Sequence, residues 1–304
     1  MRLMVYVPLL CALALAAGAP AIARRAPPRL GAATLVPAVL AAALAVDSAL
    51  MFLVGARLLD ADPLARVLGW RAEAAGPHPV PLPVSVVAAI ALCAVAVVAL
   101  ADRRTAAAAA AQLRALQAHA HAGDLVVLRS PAVVALALPA TRDTPGRILV
   151  SEGMLRALDA DERRVLLAHE RAHLRHRHDR YRRLARVAAQ VNPLVRPALG
   201  AVDFLLERWA DEEAARTVGS RRLAARALAR AAVAEPPGDE RLRQAGFAMR
   251  SVSGRVDALL ATTPARGSRL ALILPISVGL VAALSAAWAE HDLAHLTDLL
   301  RGDG

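Results

Sequence analysis

Four stretches of the chain run for about twenty residues with scarcely a polar position, the length of helix needed to cross a hydrocarbon core of about 30 Å. They extend from about Leu3 to Ala23, from Thr34 to Ala56, from Val80 to Ala101 and from Leu270 to Ala289. Between the third and the fourth the pattern changes. Thr105 to His119 is rich in alanine and reads as a helix that continues the third span. Leu125 to Leu128, Val133 to Leu138 and Ile148 to Val150 are short β-branched or apolar runs, separated by Ser130-Pro131 and Thr144-Pro145-Gly146, and they read as a small sheet. From Glu152 onward apolar residues recur at helical spacing, and the acids from Asp159 to Glu162 suit the first turn of a helix. Pro236-Pro237-Gly238 marks a loop, and no internal repeat is present. Two features qualify the spans. Arg2 ahead of an apolar run that ends in small residues near Ala19 and Ala21 also fits a cleaved leader, an alternative that stays open. Asp47 lies inside the second span, where the cost of an ionisable group makes it face other helices, as a structural contact.

Composition strengthens the membrane reading. The 304 residues are 57% hydrophobic but only 3% aromatic, and the apolar residues are mostly Ala, Leu and Val, which suits lipid-facing helices better than a tight soluble core. The net charge of +11 comes from 37 basic residues, and every one of them is arginine. Such an excess fits either nucleic acid or the cytoplasmic flanks of membrane spans. The arginines sit beside the spans with no zinc-finger or RNA-recognition motif, so direct nucleic-acid binding is not expected and membrane lipid is. Arg24, Arg25 and Arg29 crowd the first loop with no acid among them, whereas Arg57, Arg66 and Arg71 in the second are balanced by Asp60, Asp62 and Glu73. Arg103 and Arg104 follow the third span, and Arg266 and Arg269 precede the fourth. The chain therefore divides into three spans over 1–101, a cytoplasmic segment over 102–268, and a fourth span with a short external tail over 269–304. The expected location is the plasma membrane, crossed several times. Cys11 and Cys93 lie in apolar runs, placed neither for a disulfide nor for metal.

Within the cytoplasmic segment, His169-Glu170-Arg171-Ala172-His173 spells H-E-x-x-H after an apolar run. On a helix the two histidines share a face, so both can reach one Zn²⁺ at about 2.0–2.1 Å. Glu170 is then placed to take a proton from a water whose pKa a bound zinc brings toward about 7. A catalytic zinc site takes three protein ligands, and Glu207 in Glu207-Arg208-Trp209-Ala210-Asp211 is the candidate third. Asp211, one turn further, can accept the free N–H of a ligating histidine without touching the metal. His176 and His178, interleaved with Arg175, Arg177 and Arg180, read as a solvated basic face near lipid phosphates, and His119 and His121 have the same reading. Neither a Gly-rich phosphate loop nor a G-x-S-x-G serine elbow occurs.

Taken together, His169-Glu170-x-x-His173, Asn192-Pro193 and Glu207-x-x-Ala210-Asp211 resemble the BlaR/MecR-type membrane metallopeptidases, the antirepressor class of β-lactam sensor-transducers, which are relatives of the HtpX-type proteases. The resemblance covers roughly residues 100–265 and extends to the layout of spans. It implies one zinc per chain on His169, His173 and Glu207, Glu170 as the catalytic glutamate, and Asp211 as the accompanying acid. It implies a mainly α polytopic protein with about four transmembrane helices, and a zincin-like helical metalloprotease domain carrying a small sheet. It also implies cleavage of a cytoplasmic or membrane-proximal protein, with a winged-helix repressor as one candidate. The sensor-transducers carry a large extracellular penicillin-binding domain after the last span, whereas here about fifteen residues follow Ala289, so antibiotic sensing by this chain is not expected. The alternatives are an HtpX-like quality-control protease and a non-catalytic transmembrane signalling subunit. A protein freed from catalysis has no chemical reason to keep Glu170, which argues against the last.

Overall fold

The computed structural model describes residues 6–59, 80–118, 124–141, 145–234, 252–261 and 268–301. The second loop's charges from Asp60 to Glu73, the histidines His119 and His121, the Pro236-Pro237-Gly238 loop and Arg266 lie outside these residues.

The described residues are mostly helical, with one small sheet. The long apolar helices are α1 (Val7–Arg25), α2 (Pro28–Leu59), α3 (Leu82–Ala118) and, at the far end, α10 (Ile273–Arg301). Among the described residues, four segments are long and apolar enough to cross a membrane: Val7–Arg25, Pro28–Leu58, Leu82–Arg104 and Arg269–Trp288. These are the spans read from the apolar pattern, and α3 does run on through the alanine-rich stretch. The span helices approach closely through small residues: a Cβ added at Gly279 of α10 would stand 3.1 Å from the Cα of Ala38 on α2.

Three strands follow: β1 (Leu125–Leu128), β2 (Ala135–Leu138) and β3 (Arg147–Ser151). Their order is β1-β3-β2, with β1 parallel and β2 antiparallel to β3. The central strand β3 is the buried one, and β2 keeps one edge unpaired among the described residues. Ser151 ends β3 and caps α4 (Glu152–Ala157), accepting from the Met154 N–H at 3.1 Å. The same hydroxyl oxygen accepts from the Val134 N–H at 3.0 Å and donates to the Ala132 carbonyl, which straps the loop before β2 onto the helix start. Only glycine fits beneath this strap, because a Cβ at Gly153 would lie 2.1 Å from the Pro131 oxygen.

Helix α5 (Ala160–Arg175) begins in a capping box: Asp159 accepts from the Glu162 N–H at 2.9 Å, and Glu162 accepts from the Asp159 N–H at 3.0 Å. Glu162 is wholly buried, and Arg226 and Arg230 of α8 (Arg221–Ala234) each donate to it at 2.9 Å. The start of α5 is thereby pinned to α8. After α5 the chain turns through Arg177, whose φ of 53° is left-handed, and restarts as α6 (His178–Val191). A short turn at Pro193–Val195 leads into α7 (Pro197–Val218), which stops at Gly219 with φ 73°. A further helix, α9, covers 252–260.

Helix α7 is seated directly on the span hairpin. Ala198, Leu205, Leu206 and Trp209 share one apolar core with Ile22, Ala23, Ala32 and Leu35. Arg208 is buried there and donates to the carbonyls of Ala23, Arg24 and Ala26 at 2.6, 3.4 and 3.3 Å. These carbonyls at the end of α1 have no partner within their own helix, so the guanidinium satisfies them and meets the negative end of the helix dipole.

Candidate metal centre

Two turns of α5 and one of α7 bring three donors together. His169 Nε2 lies 3.3 Å from Glu207 Oε2, His173 Nε2 lies 3.5 Å from Glu207 Oε1, and the two Nε2 atoms are 3.0 Å apart. A tetrahedral ion about 2.0–2.1 Å from each donor needs neighbouring donors about 3.3–3.4 Å apart, so this spacing and the two-imidazole, one-carboxylate chemistry fit a zinc ion. Glu170 stands beside the trio without joining it. It is 8% exposed and faces a cavity of about 320 Å³, walled by His169, His173, Arg182, Glu207 and the Ala135–Ala137 stretch of β2. Burial lifts its carboxyl above the usual range, against the opposing pull of cationic His169 and a backbone hydrogen bond from Ala137.

A ring of charged groups surrounds the donors. Asp211 Oδ1 is 3.1 Å from His169 Nδ1, on the side of the ring turned away from the other donors. Arg255 of α9 grips both Asp211 oxygens, through Nε and Nη2 at 2.7 Å each, and its Nη1 reaches Glu207 Oε2 at 3.1 Å. From α6, Arg182 Nη2 donates to Glu207 Oε1 at 2.6 Å, and its Nε donates to Asp203 at 3.0 Å. Burial alone would neutralise His169, but hydrogen bonds to Asp211 and Glu207 overcome it and push its pKa up to about 10. Glu207 is correspondingly held well below the carboxylate range, since His169 and Arg255 outweigh its burial. His173 goes the other way, down to about 2, through burial and the cation next to it. The two carboxylates thus favour positive charge at His169.

His176 and His178 depart from the solvated face expected of them. Arg175, Arg177 and Arg180 are exposed, but His178 is wholly buried, and its Nδ1 lies 2.7 Å from His173 Nδ1. His176 stacks on Trp209 with ring centroids 4.7 Å apart. The interleaved arginines point to one solvated face, whereas the left-handed Arg177 ends one helix and starts another, which turns His178 back toward α5. Burial and the charge of Arg182 hold the His178 ring neutral, with its pKa down to about 3. Sequence reasoning also missed Arg182 and Arg255. Each comes from a different helix, and no spacing within a single segment signals it.

Residues 99–276 match the family described as Peptidase family M48, a stretch that holds every residue of the candidate metal centre. No curated protein and no solved structure matches the chain.

Proposed function

Because the chain belongs to Peptidase family M48 and carries four helices fit to cross a membrane, we propose that this membrane metallopeptidase is a zinc endopeptidase of the BlaR/MecR type that cuts a cytoplasmic or membrane-proximal protein. One zinc per chain is held by His169, His173 and Glu207. The observation that carries the reading is the donor trio at tetrahedral spacing, set beside a buried carboxylate in a cavity walled by β2, an edge strand among the described residues.

An extended peptide can pair with the outer edge of β2, which no other strand covers among the described residues, through main-chain hydrogen bonds, which places a scissile carbonyl over the donors with little demand on side-chain identity. Bound zinc supplies Lewis acidity and brings the pKa of a water near 7. Glu170 takes the proton of the attacking water and delivers it to the leaving amine nitrogen as the C–N bond breaks. Asp211 accepts the Nδ1–H of His169, which leaves the Nε2 lone pair for the metal. Arg182 lines the same cavity, and its charge favours the negative charge that gathers on the carbonyl oxygen. Purified protein should hold about one zinc per chain, and Glu207→Ala should lose most of it by elemental analysis; equal zinc in the two proteins would remove Glu207 from the ligand set.

The arginine asymmetry supports a cytoplasmic site in a plasma-membrane protein with both termini outside. A reporter fused after Arg104 should then read as cytoplasmic and one after Gly304 as external. Cleavage of the 105–265 segment by a protease added to intact cells would overturn this topology. The seat of α7 on the α1–α2 hairpin supports a membrane-proximal substrate. A winged-helix repressor is the first to test, and a damaged membrane protein, as for an HtpX-like protease, is the second.

A further inference from the structure

We propose that His178 is a positioning residue of the metal centre, a neutral ring whose bare Nδ1 accepts the Nδ1–H of His173 and so fixes the Nε2 lone pair of His173 toward the metal. The proposal rests on the zinc reading of the trio.

The two Nδ1 atoms are 2.7 Å apart, too close for anything but one hydrogen bond, so one of them carries the proton and the other is bare. The choice follows from the far side of the His173 ring. Its Nε2 converges with His169 Nε2 at 3.0 Å and Glu207 Oε1 at 3.5 Å, and a metal ligand there must be unprotonated. The proton of neutral His173 is therefore on Nδ1, the accepting atom is His178 Nδ1, and the His178 proton is on Nε2. That Nε2 is buried with no hydrogen-bond partner among the described residues, so no competing polar contact turns the ring. Packing holds it: the His173 ring lies 4.8 Å away at 81°, and the Trp209 ring 4.8 Å away at 50°. The left-handed turn at Arg177 makes the arrangement possible, because it starts α6 with its first side chain aimed back at α5.

The two histidine ligands are thus oriented by different means. His169 faces a carboxylate clamped by arginine, whereas His173 faces a neutral ring. A second carboxylate in place of His178 would add a fourth negative charge to those of Glu170, Glu207 and Asp211. A neutral acceptor fixes the tautomer without that addition.

Two variants and one spectrum test this. In His178→Asn a carbonyl oxygen stands near the position of Nδ1 and keeps an acceptor; in His178→Leu the volume is similar and the acceptor is gone. Chelator competition on the purified protein should show zinc held about 10–100-fold more weakly by His178→Leu, with His178→Asn recovering most of the loss. The Co²⁺-loaded proteins should follow the same order, the visible ligand-field band of His178→Leu shifting away from the wild-type position. In zinc-loaded wild type with ¹⁵N-labelled histidine, assigned through the Asn variant, His178 should show the Nε2–H tautomer and His173 the Nδ1–H. A protonated Nδ1 on His178 overturns the proposal, and this measurement decides even if the Leu variant does not fold. Wild-type zinc affinity in His178→Leu, or no recovery in His178→Asn, also overturns it while leaving the zinc site standing. A wild type that binds no zinc removes the metal reading itself.

Discussion

Glu170→Gln should lower the rate of peptide hydrolysis by at least about 10² while zinc content stays at the wild-type level. The amide keeps the size of the carboxylate and can still accept the backbone hydrogen bond from Ala137, so the cavity wall should not move. It cannot accept a proton from water, and that is the step assigned to Glu170. The residue lies outside the donor trio, so metal retention is expected too. His169→Ala makes the contrast, because it removes a donor and should lose zinc and activity together. The measurement is cleavage of co-expressed cytoplasmic candidates, any neighbouring winged-helix repressor first, with zinc content followed in the same preparations. Wild-type turnover by Glu170→Gln would sink the mechanism. A wild type that signals and cleaves nothing would favour the non-catalytic signalling subunit.

Where a structural cause lies within one segment, the sequence displays it. The spans are legible because a hydrocarbon core selects composition over about twenty consecutive positions, and the four apolar runs became α1, α2, α3 and α10. The start of α5 is legible because Asp159 and Glu162 stand three apart, and that spacing is the capping box itself. The three strands are legible as short runs between turn residues, although their β1-β3-β2 order is not, since pairing depends on how the chain returns. The same limit governs the site. H-E-x-x-H is a pattern on one helix and brings its two histidines together without help. Arg255 meets Asp211 across 44 positions, and Arg182 meets Glu207 across 25, so the clamp exists only after three helices have packed. His178 is hidden for another reason: flanking arginines mark a shared solvated face only while the backbone stays regular, and one left-handed residue at 177 redirects the side chain that follows it.

That clamp makes the second large prediction, a stability effect that depends on metal. Arg255 is 8% exposed, and its burial would weaken its charge, but Asp211 and Glu207 hold that charge more firmly than burial opposes it. Arg255→Met keeps most of the aliphatic volume and removes the fork, leaving the buried Asp211 and the half-buried Glu207 with His169 and Arg182 to answer them among the described residues. Breaking a buried pair from one side costs about 3–5 kcal/mol, chiefly the uncompensated charge that remains. The metal-free variant should therefore unfold at a clearly lower temperature than metal-free wild type, followed through the fluorescence of Trp209 in its core seat. Added zinc brings two positive charges to the same carboxylates, so it should raise the variant's unfolding temperature by more than it raises that of wild type. Arg255→Lys should fall between the two, because an ammonium restores the charge but cannot span both Asp211 oxygens as Nε and Nη2 do. An Arg255→Met protein as stable as wild type in chelator would show that the two carboxylates do not need the clamp. The electrostatic account of the centre would then have to place a proton on Asp211 or Glu207 instead.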